Sequence, residues 1–296
     1  MICAAKSRLQ EPKTPATTQT RRLIGRFEVI STLGQGSQGA VHLAADTRLG
    51  RRVALKTLLP SPKNGFGRDG FATLLREARI VGALSHPNIV PLYDAAEDGG
   101  AFYLVFEYVE GRTLAQVIRE QGKLEVERAV GITASLARAI AYAHERDVLH
   151  RDLKPANVML TGDGVPRLMD FGIASGTEGA EVGAHALVGT PSYMAPEYIA
   201  EGLYTHQSDM FALGVVLYEM LTGEKPFHAS QARETVRLVA TAETQPPSRR
   251  NQEIDERLDA LVMKALAQNP GGGIAARSGP AAWRFCRSST ASAPSA

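Results

Sequence analysis

Cysteine is almost absent: Cys3 and Cys286 are the only two, near opposite ends of 296 residues. That scarcity excludes a disulfide framework and a cysteine-ligated metal centre, and it suits a reducing cytoplasm. No apolar run reaches the roughly 18 residues that a membrane span needs. The longest, residues 211–221, carries Glu219. The first residues lack the apolar core of a signal peptide, because Lys6, Arg8 and Glu11 interrupt them. An excess of one charge is missing as well. Thirty-three Lys and Arg against 31 Asp and Glu leave a net charge of +2. That is too little to draw the chain to nucleic acid or to an acidic membrane.

What is present is the composition of a folded protein, 44% hydrophobic and 22% charged, over a length that suits about two domains. Residues 1–24 are rich in Thr, Pro, Lys and Arg, have no apolar period, and read as a disordered leader. Residues 27–58 alternate like strands, broken by a glycine-rich turn and by a hairpin turn at Thr47-Arg48-Leu49-Gly50. Residues 59–70 are rich in Pro and Gly and form a loop. Leu74, Leu75, Ala78 and Val81 predict a helix over 71–84, and the short apolar runs 89–92 and 102–106 predict strands. After Glu110-Gly111 the period turns helical. Val126, Val130, Ile132, Leu136, Ile140 and Ala143 mark one long helix. Residues 211–221, apolar on nearly all sides, mark a buried helix, and 254–267 mark another. The expectation is an α+β chain of two lobes. A small β-rich lobe with one helix covers 25–109, a larger helical lobe covers 110–270, and a ligand cleft lies between them. Residues 271–296 have no period and read as a disordered tail.

Two groups of residues carry chemistry. Gly34-Gln35-Gly36-Ser37-Gln38-Gly39 lies between strands. Glycine there lets backbone N–H groups approach phosphates, although a turn without a ligand explains the pattern alone equally well. The strand that follows excludes a dinucleotide fold, which needs a helix at that place. Lys56, in Val53-Ala54-Leu55-Lys56, sits in an alternating strand and can face either cleft or solvent. Downstream, His150-Arg151-Asp152-Leu153-Lys154-Pro155-Ala156-Asn157 supplies a carboxylate, an ammonium and an amide, and Asp170-Phe171-Gly172 supplies a second carboxylate beside a glycine. Together these are the groups needed to hold a metal–triphosphate against a hydroxyl.

In this order and spacing the motifs resemble the eukaryotic-like Ser/Thr protein kinases, above all the bacterial ones, over residues 27–270. The resemblance implies the two-lobed protein-kinase-like fold. It also implies transfer of the γ-phosphoryl of ATP, with Mg2+, to Ser and Thr hydroxyls of proteins. Asp152 would take the hydroxyl proton, Lys154 would neutralise charge on the moving group, and Asn157 and Asp170 would hold magnesium. The nucleotide would lie against Leu33, Gly34, Gln35, Gly36, Ser37, Gln38 and Gly39. Val41, Ala54 and Met159 would enclose the adenine, and the backbones of Glu107 and Val109 would bond its edge beside Phe106, the gatekeeper. Lys56 would meet the α- and β-phosphates and pair with Glu77. Thr190, in Gly189-Thr190-Pro191, would hydrogen-bond near Asp152 and Lys154, and Asp209 would hold the catalytic loop. Relatives often dimerise through the small lobe, so a homodimer that phosphorylates itself fits the same picture. A non-catalytic ATP-binding signalling module is the alternative, although every catalytic position is filled. A kinase of small molecules is a third reading; the segment through Ala195-Pro196-Glu197, which seats a peptide, argues against it.

The chain departs from the family in two places. Bacterial relatives often carry threonines shortly before the Gly-Thr pair, whereas residues 181–188 hold no hydroxyl, leaving Ser175 and Thr177 as regulatory candidates that Arg151 could pair with once phosphorylated. The family also has an arginine three residues after Pro270, which pairs with the glutamate at the place of Glu197; here that position is Gly273, and Arg277 is not at the expected spacing. A glutamate deprived of that partner is expected to destabilise the large lobe by on the order of a few kcal/mol.

Overall fold

Strand alternation sorts the small lobe into two faces. The computed structural model describes residues 22–36, 39–58, 68–172, 190–241 and 244–267. Strands β1 (Leu23–Ile24), β2 (Phe27–Gly36), β3 (Gly39–Asp46), β4 (Arg52–Leu58), β5 (Leu92–Asp98) and β6 (Ala101–Glu107) form one six-stranded sheet in the order β1-β2-β3-β4-β6-β5. Neighbouring strands run antiparallel throughout. Phe27, Ala44, Val53, Leu55, Tyr103 and Val105 pack together on one face. Leu58, Phe102, Leu104 and Phe106 belong to the larger core on the other, with Leu74, Ala78 and Val81 of helix α1 (Arg68–Gly82). Ala54 and Lys56 pair in register with Phe106 and Leu104. With a period of two, they share that second face. Alternation therefore turns the Lys56 side chain toward α1 and the large lobe, and away from solvent.

Several boundaries differ from the sequence reading; α1 begins at Arg68, inside the loop expected over 59–70, and ends at Gly82. Leu23 and Ile24 pair with Glu28 and Phe27, so ordered structure begins inside the residues assigned to the leader. Gly25, at φ 54°, makes the turn between them possible, and a Cβ there would lie 2.5 Å from the Tyr103 hydroxyl oxygen. The strand expected over 89–92 instead begins at Leu92. Pro91 has no N–H to give to a sheet. The residues before it are engaged elsewhere: the Val90 N–H donates to the Leu168 carbonyl at 2.9 Å, and the Leu168 N–H to the Asn88 carbonyl at 2.8 Å.

The large lobe is built on a helix without a solvent face. Helix α5 (His206–Thr222) buries every residue from 208 to 218. Thr205 caps its start by accepting from the Gln207 N–H, and Gly223, at φ 77°, ends it. Around it lie α2 (Leu114–Gln121), α3 (Val126–His144), α4 (Pro196–Glu201), α6 (Ala232–Thr241) and α7 (Glu256–Ala265). A second sheet joins β7 (Gly111–Thr113) to β8 (Val158–Thr161) and β9 (Pro166–Leu168), and the last two connect the catalytic run to Asp170. Among the described residues no helix is long and apolar enough to cross a membrane.

Helices α5 and α7 meet at Gly214, where an added Cβ would lie 2.7 Å from the Ala265 Cβ. Gly214→Val should therefore destabilise the protein by about 1–3 kcal/mol through overpacking. Gly131→Ala, on an exposed part of α3 with nothing within 4 Å of the new Cβ, should stabilise it by about 1 kcal/mol. Urea unfolding of both variants beside the wild type checks the contrast; equal midpoints would contradict it.

Candidate active site

The catalytic run is held from below by one buried carboxylate. Asp209, in the first turn of α5, has no exposed surface. Its Oδ2 accepts from His144 Nε2 at 2.7 Å and from the His150 N–H at 2.9 Å. Its Oδ1 accepts from the Arg151 N–H at 3.1 Å and the Tyr204 hydroxyl at 2.8 Å. Burial alone would raise its pKa. The hydrogen bond and charge of His144, with the hydrogen bond from the His150 N–H, outweigh burial and hold it below the ordinary value. Two of these donors are the backbone on either side of a strained turn: Arg151 adopts φ 65°, a left-handed conformation unfavourable for a side chain of its size. A four-donor carboxylate with its charge buried is the compensation that keeps that turn in place.

His150 transmits this anchoring to the second motif. Its Nε2 lies 2.9 Å from the Met169 carbonyl, which can only accept, and its Nδ1 lies 3.3 Å from the Asp152 N–H, which can only donate. The ring is therefore the neutral Nε2–H tautomer. Burial lowers its pKa, in agreement. The ring packs against Phe171 at 4.7 Å between centroids, and the Gly172 N–H donates to the His150 carbonyl at 3.1 Å. Phe171 is buried, as an inward-packed ring should be.

Above this base the chemically capable groups converge. Lys154 Nζ donates to both oxygens of Asp152, at 2.9 and 2.7 Å. Asn157 Nδ2 donates to the Asp152 carbonyl at 2.7 Å and to its Oδ2 at 2.9 Å. The amide nitrogen of Asn157 is thereby committed, and its oxygen is left to meet a hard cation. The Met169 N–H donates to the Asn157 carbonyl at 2.9 Å, which ties Asn157 to the residue before Asp170. Asp170 takes φ 57°, and its Oδ1 lies 2.9 Å from Lys56 Nζ.

The structure thus brings Asp152, Lys154, Asn157, Asp170 and Lys56 together. Val41 shares the Lys56 face, being its register partner on β3, and Ala54 and Met159 are both partly buried against the main core. Glu107 ends β6, and Val109 follows as a buried residue. Leu33, Gly34, Gln35 and Gly36 lie on exposed β2, and Gly39 opens β3. The pair between Lys56 and Glu77 is not formed among the described residues, because the lysine reaches Asp170 instead; Glu77 is half-buried on α1. Thr190 makes no side-chain hydrogen bond to Asp152 or Lys154 among the described residues. Ser37, Gln38, Ser175, Thr177, residues 181–188, Gly273 and Arg277 lie outside the described residues. Glu197 is not left without a donor: Ser208 Oγ donates to its Oε1 at 2.7 Å. Sequence reasoning passed over His144, Tyr204 and Arg167. Only the last offered a signal, as a charge in an otherwise apolar strand that leads to Asp170.

Acid should destabilise the fold before it touches Asp209. His42, His86, His150 and His206 all have pKa values lowered chiefly by burial. Below their ordinary value of 6.5 the unfolded chain binds protons that the folded chain refuses. Their contribution is complete above that pH and is lost as pH falls from 6.5 toward the folded values. The Asp209 contribution is present above its ordinary 3.8 and is lost only at lower pH, as its carboxyl titrates through the depressed value. Calorimetry between about pH 7.5 and 5 should show Tm falling with proton uptake on unfolding; a Tm flat or rising toward acid would contradict it.

Comparison with known proteins agrees with the geometry. The protein kinase domain model matches residues 27–278. The chain is 38% identical over 262 residues to the serine/threonine-protein kinase PknB of Mycolicibacterium smegmatis, covering 86% of this chain and 41% of that protein. It is 36% identical over 251 residues to the serine/threonine-protein kinase PrkC of Bacillus subtilis, covering 84% and 38%. A probable serine/threonine-protein kinase of Streptomyces coelicolor is 39% identical over 261 residues, covering 85% and 38%. The chain spans about two fifths of the length of these curated relatives. With a two-lobed fold, a catalytic run anchored on a buried helix and a family match over most of its length, the chain belongs to the protein kinase family, alongside the bacterial Ser/Thr kinases.

Proposed function

We propose that this chain transfers the γ-phosphoryl group of ATP to Ser and Thr hydroxyls of proteins, with Mg2+ as the metal. One observation carries the reading: the Asp152 carboxylate is gripped by Lys154 Nζ and Asn157 Nδ2 yet remains 39% exposed. A fixed carboxylate open to solvent can orient a hydroxyl and accept its proton. Lys154, already beside it, supplies positive charge where the phosphoryl group would pass. The Asn157 amide oxygen and the Asp170 carboxylate are the ligands for a magnesium ion, which when bound neutralises phosphate charge.

The glycine-rich turn supports a nucleotide at this place. A Cβ built at Gly34 or Gly36 meets no atom within 4 Å, and neither glycine has a left-handed φ. The fold itself does not require glycine there, so the open space is available to a ligand that must approach the backbone closely. Gly39 is different. It has φ 144°, and a Cβ would lie 1.8 Å from the Thr57 carbonyl oxygen, so the sheet demands it. Lys56, on the cleft face beside Asp170, is the cation for the phosphates. Val41, Ala54 and Met159, with the backbones of Glu107 and Val109, are the adenine surroundings in this reading. The run Lys154-Pro155-Ala156 favours Ser and Thr over Tyr as acceptor, and the scarcity of cysteine supports a reducing cytoplasm. Self-phosphorylation within a homodimer is part of the same proposal.

Purified protein incubated with radiolabelled ATP, magnesium and myelin basic protein should label that substrate on Ser or Thr. Asp152→Asn should lower the rate by at least about 100-fold, the usual worth of a general base. No label from a folded wild type that binds ATP would favour the non-catalytic binding module. Gly36→Ala should raise KM for ATP while leaving Tm unchanged or slightly higher, since removing a glycine from open space restricts the unfolded chain. A lowered Tm would show that the fold, and not the ligand, calls for glycine.

A further inference from the structure

Two ion pairs cross between the lobes, and they repeat at one spacing on both sides. Arg167 Nη2 donates to Glu107 Oε2 at 2.8 Å, and Lys56 Nζ lies 2.9 Å from Asp170 Oδ1. Arg167 on β9 and Asp170 are three residues apart in the chain. In the small-lobe sheet, Glu107 pairs with Val53 and Leu104 with Lys56, so Glu107 and Lys56 are also three positions apart. The polarity inverts between them: the large lobe offers a cation and then an anion, the small lobe an anion and then a cation. Because three is an odd spacing, Glu107 and Lys56 start from opposite faces of the sheet, and Glu107 reaches Arg167 from the end of β6. The four side chains are 19% to 31% exposed, shielded enough for charge pairing to count.

Arg167 is held more firmly than an ion pair requires. It pairs with Met159 on β8. On its other side, Asn88 Nδ2 donates to the Pro166 carbonyl at 2.8 Å, and Leu168 exchanges backbone bonds with Asn88 and Val90. Its Nε is buried and has no hydrogen-bond partner among the described residues. A buried Nε–H left without a partner is an unfavourable arrangement within a side chain that is otherwise partly exposed.

We infer that Arg167 and Glu107 are positioning residues that fix the span between the segment Glu107–Val109, where β6 ends, and Asp170, and through it the affinity for ATP. The inference rests on the kinase reading, in which Glu107 and Val109 bond the adenine edge while Lys56 and Asp170 serve the phosphate end. Lys56 and Asp170 then each have a second claimant in the cleft, so their mutual pair gives way when nucleotide and metal are in place. The pair of Arg167 with Glu107 has no competitor. It keeps the lobes in register while the other pair opens. A planar guanidinium fits this task better than an ammonium, because it presents a fixed fork to one carboxylate.

Calorimetric titration of the full chain with ATP and magnesium tests this, with KM for ATP and kcat measured on myelin basic protein and Tm recorded for each variant. Arg167→Met should weaken ATP binding about tenfold and raise KM similarly, with kcat within about twofold of wild type. Arg167→Lys should fall between the two. The exchange E107R/R167E should restore binding to within about threefold. Wild-type affinity in Arg167→Met, a loss of kcat with KM unchanged, or a gain of activity would overturn the inference. So would an exchange variant no better than Arg167→Met at a wild-type Tm. Failure of the wild type itself to bind ATP would instead remove the kinase reading and the inference with it.

Discussion

The fold of the catalytic centre depends on a charge where water cannot reach. Asp209 is fully buried and accepts four hydrogen bonds, two of them from the backbone of His150 and Arg151. An ionised carboxylate in such a place is tolerable only when its lone pairs are fully engaged. The converse also holds. The left-handed turn at Arg151 is unfavourable on its own, and its N–H groups would be orphaned without this acceptor. Each feature makes the other affordable. From the turn, His150 reaches up to Met169 and Phe171, so the geometry of Asp170 is set from the start of α5, through one neutral imidazole.

A second constraint comes from the period of the small-lobe strands. Lys56 faces the cleft for the same reason that Ala54 does: alternation puts both on the face of Leu104 and Phe106. The opposite face closes its own apolar layer around Phe27, Leu55 and Tyr103. A one-residue slip of β4 would exchange the two faces and turn the lysine away. The outer layer of six buried residues thus pins the register that the cleft requires.

The sequence made much of this legible. The strands and hairpin of residues 27–58, the long α3, the buried α5 and the helix α7 follow from periodicity strong enough to outweigh local ambiguity. The catalytic run and the Asp-Phe-Gly motif could be read because their chemistry is carried by residues close together in sequence. What escaped is non-local. The displacement of β5 follows from backbone bonds between Asn88, Val90 and Leu168, which no local pattern announces. His144 and Tyr204 look like ordinary helix-end and loop residues until the fold places them on Asp209. Helices α2, α4 and α6 and the three-stranded sheet are short, so their patterns run over few residues, although the Thr113 and Gln116 capping box of α2 was there to be read. Lys56 was expected to meet Glu77, a pairing that rested on resemblance alone; the structure gives the lysine to Asp170.

The start of α5 also bears on the missing arginine. Thr205 caps the helix, Ser208 donates to Glu197, and Asp209 holds the catalytic turn, so three successive functions fall within the first turn of one helix. The N-terminal end of a helix favours negative charge, and here it faces two carboxylates, Asp209 and Glu197. Glu197 therefore has a donor that does not depend on the end of the chain. The first turn of α5 couples the peptide-seating segment to the catalytic loop by a path of two adjacent residues, Ser208 and Asp209. That path lies inside the large-lobe core and is formed among the described residues. The connection from Glu197 to the catalytic loop is made through Ser208 and Asp209.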